Sequence, residues 1–304
     1  MIIIGIEALE LSKADQKRLL SPHVSGVIFF SRNYESPTQL KALTKSIKAL
    51  APTLPLMVDQ EGGRVMRFRE GFSPLPPLQY FGDLWEEQGP ELACAQAQST
   101  AALMAKELRD CGMDSSLSPV VDLGWNQEII GNRAFHTDPH IVTVLAQAWI
   151  AGMRQSGMKS VLKHFPGHGS IKGDTHIAKL QDERSLQEIE MTDLQPFSTL
   201  ISTGQADAVM MSHVVYPAVD HRAASFSSEW IQTILKKQLG FQGKILSDDL
   251  GMQAAKATHD PLQPVVLALE AGCDQVLLCN EFEVMNEVLF SSLEFKHVSK
   301  FDSK

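Results

Sequence analysis

Eight short apolar runs, each parted from the next by a stretch of helical periodicity, leave this chain few ways to fold. They lie at 2–6, 26–30, 54–59, 115–121, 160–164, 208–213, 244–248 and 275–279. None alternates cleanly between apolar and polar residues. A strand of that kind is wet on neither face, so it belongs in a parallel sheet covered on both sides. The segments between carry helix starts. Ser12-Lys13-Ala14-Asp15 and Ser185-Leu186-Gln187-Glu188 are capping boxes, and Ser36-Pro37-Thr38-Gln39 sets Ser at the N-cap with Pro in first place. Trp230, Ile231, Ile234, Leu235 and Leu239 form an apolar stripe with Gly240 as its stop. Further helices are expected at 91–109, 141–155, 261–271 and 281–293. Pro196 is expected to kink or break the helix that begins after Ser185.

Strand and helix alternating eight times predict an α/β fold, a (β/α)8 TIM barrel. One catalytic domain is expected over 1–304, with a polar tail from about 296. A doubly wound sheet is the alternative. Loop lengths favour the barrel. Helix-to-strand links are short (157–159, 204–207, 241–243), whereas the strand-to-helix links after the third to sixth runs are long. Insertions thus gather at the strands' C-terminal ends, where barrel enzymes react their substrates.

Composition narrows the partners. A hydrophobic content of 44% and a net charge of -9 describe a globular protein without the clustered Lys and Arg that nucleic acid or an anionic membrane requires. Cys94, Cys111, Cys273 and Cys279 lack metal-ligand spacing and read as free thiols of a reducing compartment. The apolar start, Met1 to Ile6, is too short for a signal peptide, and no run approaches the roughly 18 apolar residues of a spanning helix. A cytoplasmic monomer acting on a small molecule is the expectation.

Chemistry concentrates in 163–176, Lys-His-Phe-Pro-Gly-His-Gly-Ser-Ile-Lys-Gly-Asp-Thr-His, where Gly167, Gly169 and Gly173 free the backbone for an irregular loop. Other strand ends add Asp59, Glu61, Arg64 and Arg67, then Asp122 and Arg133, then Ser212 and His213, then Asp248 and Asp249. Such groups on one rim are costly unless paired or used. Three readings compete. His164, His168, Asp174 and His176 could bind a metal, although Pro166 and Gly167 deny His164 and His168 a shared helix face. A non-catalytic sugar-binding barrel is a second. Hydrolysis of a glycosidic bond is the third: it needs a base or nucleophile on one side of the anomeric carbon and a proton donor on the other. Asp248, on a strand tip, suits the first role. His176 suits the second, with Asp174 two residues away to fix its tautomer. Arg67, Arg133 and Lys163 offer donors to a sugar and Asp59 an acceptor. Trp125 is the expected stacking ring, and His213 is expected to be a hydrogen-bonded rim residue.

Several of these segments together resemble glycoside hydrolase family 3. They are Lys-His-Phe-Pro-Gly-His-Gly at 163–169, Asp-Thr-His at 174–176, Ser-Asp-Asp-Leu-Gly-Met at 247–252, Val-Asp-Gln-Glu-Gly-Gly-Arg-Val at 58–65 and Phe-Ser-Arg-Asn at 30–33. The resemblance covers about 2–290 and is narrower towards the single-domain bacterial β-N-acetylhexosaminidases of cell-wall recycling. It implies a retaining mechanism with Asp248 as nucleophile, His176 as general acid/base and Asp174 as its partner. It implies sugar contacts from Asp59, Arg67, Arg133, Lys163 and His164, with no cofactor and no metal. The implied substrate is a terminal, non-reducing N-acetylglucosamine β-1,4-linked to anhydro-N-acetylmuramic acid, with or without a stem peptide. Two features depart from expectation. The acid/base is a histidine rather than a carboxylic acid, which leaves phosphate open beside water as acceptor, and Lys172-Gly173 replaces a small or acidic pair.

Overall fold

A computed structural model describes residues 1–126, 128–169, 180–252 and 260–291. Its centre is one sheet of eight parallel strands: β1 (Ile2–Gly5), β2 (Val24–Phe29), β3 (Leu56–Val58), β4 (Ser115–Ser116), β5 (Val161–Phe165), β6 (Ala208–Met211), β7 (Lys244–Asp249) and β8 (Gln275–Leu278). Hydrogen bonding runs in the order β4-β3-β2-β1-β8-β7-β6-β5. A parallel bridge between Val120 and Lys163 closes the ring, with Val161 N donating to Ser118 O at 2.8 Å and Val121 N to Lys163 O at 2.9 Å. The expected (β/α)8 barrel is the observed fold, and the doubly wound alternative falls. All eight expected strands are present. The fourth is cut to two residues, and Leu117–Val121 follows as extended backbone that the bridge ties to β5.

The strands sort their side chains by pleat. A small interior cluster takes one residue from each: Ile3, Ile28, Met57, Leu117, Val161, Met210, Leu246 and Leu277, with Cys279 above. Leu117 comes from just beyond β4. Their neighbours, such as Ile2, Ile4, Val27 and Val58, point outward into the larger core shared with the helices. Burial on both faces is why no run alternates in polarity.

The ring of helices comprises α1 (Lys13–Leu19), α2 (Pro37–Leu50), α3 (Gln79–Gln88), α4 (Pro90–Asp110), α5 (Pro139–Gln155), α6 (Leu186–Glu190), α7 (Leu194–Ser202), a π-helical segment at Glu229–Gln238, α8 (Leu262–Ala271) and α9 (Phe282–Phe290). The capping boxes at Ser12 and Ser185 form, and Ser36 Oγ accepts from Gln39 N. Trp149 and Trp230 are wholly buried. Two expectations need correction. The break after Ser185 falls at 191–193, before Pro196, which sits in the first turn of α7 where its missing N–H leaves no helical acceptor unpaired. The stripe from Trp230 takes π rather than α hydrogen bonding, while Gly240 follows it at φ +69°. Helix α3 and two small hairpins, Gln60–Gly62 with Val65–Met66 and Val215–Tyr216 with Asp220–Ala223, lie in long strand-to-helix links that carried no periodic signal.

All four cysteines are free thiols. Among the described residues no helix is long and apolar enough to cross a membrane. The polar tail from 296 lies outside the described residues.

Candidate active site

Side chains on a strand repeat every second residue. Two places beyond the apolar interior layer, therefore, each strand offers a residue to the mouth of the barrel. From Met57 that step gives Asp59, from Val161 Lys163, from Leu246 Asp248, from Ile28 Phe30 and from Leu277 Cys279. All five line one cavity of about 470 Å³, floored by Ile28, Leu117, Met210 and Leu277. Arg67, Arg133 and His164 line it as well, so six of the eight expected site residues meet there. Asp174 and His176 lie outside the described residues.

One wall is a chain of alternating charge. Lys163 Nζ stands 2.7 Å from Asp59 Oδ1 and 2.6 Å from Glu61 Oε1. Arg133 grips Glu61 with two parallel bonds of 2.8 Å, from Nε to Oε2 and from Nη2 to Oε1. Arg67 Nη2 reaches Asp59 Oδ2 at 3.4 Å, its guanidinium over the Phe30 ring. Burial alone would push the Glu61 carboxyl up. Arg133 and Lys163 override it and hold the carboxyl well below the usual carboxylate range. The Lys163 ammonium is likewise disfavoured by burial, yet Asp59 and Glu61 raise its pKa. Wall cations thus stay charged in a nearly dry place. Arg67 Nε is buried without a hydrogen-bond partner among the described residues.

Across the cavity, Asp248 is the penultimate residue of β7. Ser247 Oγ donates to Asp248 O at 2.8 Å and accepts from Leu277 N at 3.2 Å, stitching β7 to β8 beneath the carboxylate. Asp249 N donates to Asp248 Oδ1 at 2.8 Å. Burial works against the Asp248 charge, but His164, His213, that N–H and Lys163 outweigh it, and the net shift is downward. Asp249 moves the other way, raised by burial and then by its neighbour's charge. It caps the turn instead, accepting from Gly251 N, Cys279 N and Asn280 Nδ2. Adjacent carboxyls thus lie in different environments: Asp249 is tied up by the turn, and Asp248 is the one that lines the cavity's reactive side with its charge favoured.

His164 is oriented from behind. Asp122 Oδ2 lies 2.7 Å from His164 Nδ1, and the same carboxylate accepts from the backbone N–H of His164 at 3.2 Å and of His168 at 3.0 Å. His164 and His168 thereby meet, ring centroids 4.8 Å apart. No helix joins them, as Pro166 and Gly167 imply, yet the turn after β5 brings the rings together, with Gly167 at φ +115° and its carbonyl accepting from Tyr216 Oη. Asp122, His164 and His168 place one potential ligand atom each within 4.8 Å of the others. The shared hydrogen bonds account for the grouping, since three N–H donors point at the one carboxylate. Gly169 is glycine for a different reason from positive φ: a Cβ there would lie 1.6 Å from Leu123 O.

His213 is the hydrogen-bonded residue it was expected to be, between Ser225 Oγ at 2.7 Å and Asp249 O at 3.2 Å. Trp125 is not among the residues lining the cavity; its exposed ring faces the Arg184 guanidinium, and Phe30 is the aromatic at the site. Sequence reasoning quoted Glu61 and Asp122 but assigned neither a role. The legible signal for Glu61 is its place two residues after Asp59, in the hairpin that follows β3.

Residues 3–300 match the Glycosyl hydrolase family 3 N terminal domain. The chain belongs to glycosyl hydrolase family 3. A beta-hexosaminidase of Methylobacillus flagellatus is 46% identical over 290 residues, covering 95% of this chain and 82% of that one. NagZ from Neisseria gonorrhoeae, solved in complex with N-trifluoroacetyl-D-glucosamine, superposes with a TM-score of 0.89 at 44% identity, over 95% of this chain and 84% of that one. A family 3 β-N-acetylglucosaminidase from Paenibacillus sp. gives a TM-score of 0.86 at 30% identity, over 95% of this chain and 55% of that one. The family 3 resemblance read from the motifs at 58–65, 163–169 and 247–252 is thus the correct one, and the protein is a glycoside hydrolase.

Proposed function

We propose that this protein is a retaining exo-β-N-acetylglucosaminidase. Its substrate on this reading is a terminal, non-reducing N-acetylglucosamine β-1,4-linked to anhydro-N-acetylmuramic acid, with or without a stem peptide, met in the cytoplasm during cell-wall recycling. The observation that carries the reading is Asp248, an ionised carboxylate on a rigid strand tip facing a wall of ordered hydrogen-bond donors. Beta-hexosaminidases that match over 95% of the chain support the choice of sugar.

On this reading Asp59, Arg67, Arg133, Lys163 and His164 hold the sugar's polar groups. Asp248 Oδ attacks the anomeric carbon as His176, its imidazolium steadied by Asp174, gives a proton to the departing glycosidic oxygen. A covalent glycosyl-enzyme results. Neutral His176 then takes a proton from water as that water attacks the anomeric carbon, which frees Asp248 and releases N-acetylglucosamine with net retention. Cofactor and metal have no part in these steps.

Turnover of 4-nitrophenyl N-acetyl-β-D-glucosaminide against the matching glucoside tests the reading. The expected result is a preference of roughly 100-fold or more for the N-acetyl sugar, as for a site built to hydrogen-bond a substrate group. Equal turnover of the two, or none of either, would reject it.

A further inference from the structure

Glu61 is not among the sugar-contacting groups that the motifs suggest, yet two of those groups are held by it. Its side chain is only 1% exposed, and both oxygens are committed: Oε1 to Lys163 Nζ and Arg133 Nη2, Oε2 to Arg133 Nε. Asp59, by contrast, is 16% exposed at the cavity. The partners arrive from three elements. Glu61 sits in the hairpin after β3, Arg133 in the link after β4, and Lys163 on β5. Nothing covalent sets Arg133 and Lys163 against each other, and two like charges left alone would separate. A fork-on-fork contact fixes the plane of the guanidinium as well as its position. It leaves the Nη1 arm of Arg133 free of Glu61. Lys163 spends two of its three ammonium protons on Asp59 and Glu61, so one remains for a ligand.

We propose that Glu61 is a positioning residue for the glycone: from behind the wall, it sets the ammonium of Lys163 and the guanidinium of Arg133 where they meet the sugar's hydroxyls. The proposal rests on the glycosidase reading. It makes Glu61 act through two cations rather than on the substrate.

The test is Glu61→Gln, which keeps shape and removes charge, assayed on 4-nitrophenyl and 4-methoxyphenyl N-acetyl-β-D-glucosaminide. We expect kcat/KM to fall by roughly 100-fold, the cost of misplacing binding groups by about 1 Å. The loss is carried mainly by KM and is the same factor on both leaving groups, because the glycone rather than the bond being broken has lost its grip. In an Arg133→Leu background the same change should cost no more than roughly tenfold, since one of its two routes is already gone. Unchanged KM with a lowered kcat, as a smaller folded fraction would give, overturns the proposal. So does the full loss repeated beside Arg133→Leu. If Glu61→Gln does not fold, Glu61→Asp decides: it retains the charge but withdraws it by one methylene, and a raised KM is expected where a wild-type KM would overturn. If wild-type protein turns over neither substrate, the glycosidase reading has failed. Glu61 is then judged by calorimetric titration with N-acetylglucosamine, where Glu61→Gln should bind more weakly and equal affinity overturns.

Discussion

At the scale of single residues the site divides between groups whose type reveals them and groups that only contacts reveal. Asp248 belongs to the first kind: an aspartate two places beyond an apolar strand residue has the barrel mouth as its destination. If it is the nucleophile, Asp248→Ala should lower turnover of an aryl N-acetylglucosaminide by roughly 10⁴-fold with the fold intact. Near-wild-type rates, checked beside a thermal melt, would remove it from the mechanism. If His176 is the proton donor, His176→Ala should cost roughly 10²- to 10⁴-fold on a poor leaving group and far less on 4-nitrophenolate, which departs without protonation. Equal losses on both would assign the proton elsewhere. Asp122 is of the second kind. A carboxylate that accepts N–H groups from His164 on β5 and from His168 just after it, 42 and 46 residues on, has no signature in its own neighbourhood.

Elements owe their existence to local signals and their spacing to contacts. The capping residues at Ser12, Ser36 and Ser185 start helices where expected because a side-chain oxygen satisfies an otherwise orphaned N–H within three residues. Helix α3 had no such start: its N-cap position is Leu78, without a side-chain hydrogen bond, and it is held by Phe81 and Leu84 packing inward. The pair α4 and α5 shows what spacing depends on. Gly152 lies against α4, where a Cβ would come 2.1 Å from Gln98 O and 2.9 Å from the Ala101 Cβ. Gly152→Ala should therefore force the two helices apart at a cost of about 1–3 kcal/mol. The check is a denaturant midpoint that falls at constant slope while activity per folded molecule holds; an unmoved midpoint would show that the helices part freely.

The whole molecule collects buried ionisable groups at one end of the barrel, and its acid stability follows from them. Burial is the chief reason that the His168 imidazole is pulled down to about 4, with Asp122 opposing; His213 is lowered as well, again chiefly by burial. A histidine held neutral binds fewer protons folded than unfolded between its two pKa values. Its contribution is thus complete above the unfolded value of about 6.5 and lost as pH falls towards 4. For His168 that loss is on the order of 3 kcal/mol. The depressed carboxyls of Glu61 and Asp122 act in the same direction at lower pH, stabilising above an unfolded value of roughly 4 and ceasing to as acid protonates them. Through these groups the thermal midpoint should decline from about pH 6.5 to 4 and decline further below. His168→Asn should flatten the upper part of that decline; an unchanged slope between pH 6.5 and 4 would show that His168 does not cause it.

The alternation of doubly buried strands and capped helices by itself determined a parallel α/β sheet covered on both faces, because hydrophobic period and helix caps are local, and loop lengths favoured a barrel; the bridge between Val120 and Lys163 decided its closure. The same period two carried Asp59, Lys163 and Asp248 to the mouth. What only the tertiary structure decided is which charges hold which. Glu61 under Lys163 and Arg133, and Asp122 under His164 and His168, join segments far apart in sequence. Neither pairing has a period or a spacing to announce it. Each exists because a buried charge must find an opposite partner wherever folding brings one within hydrogen-bond reach.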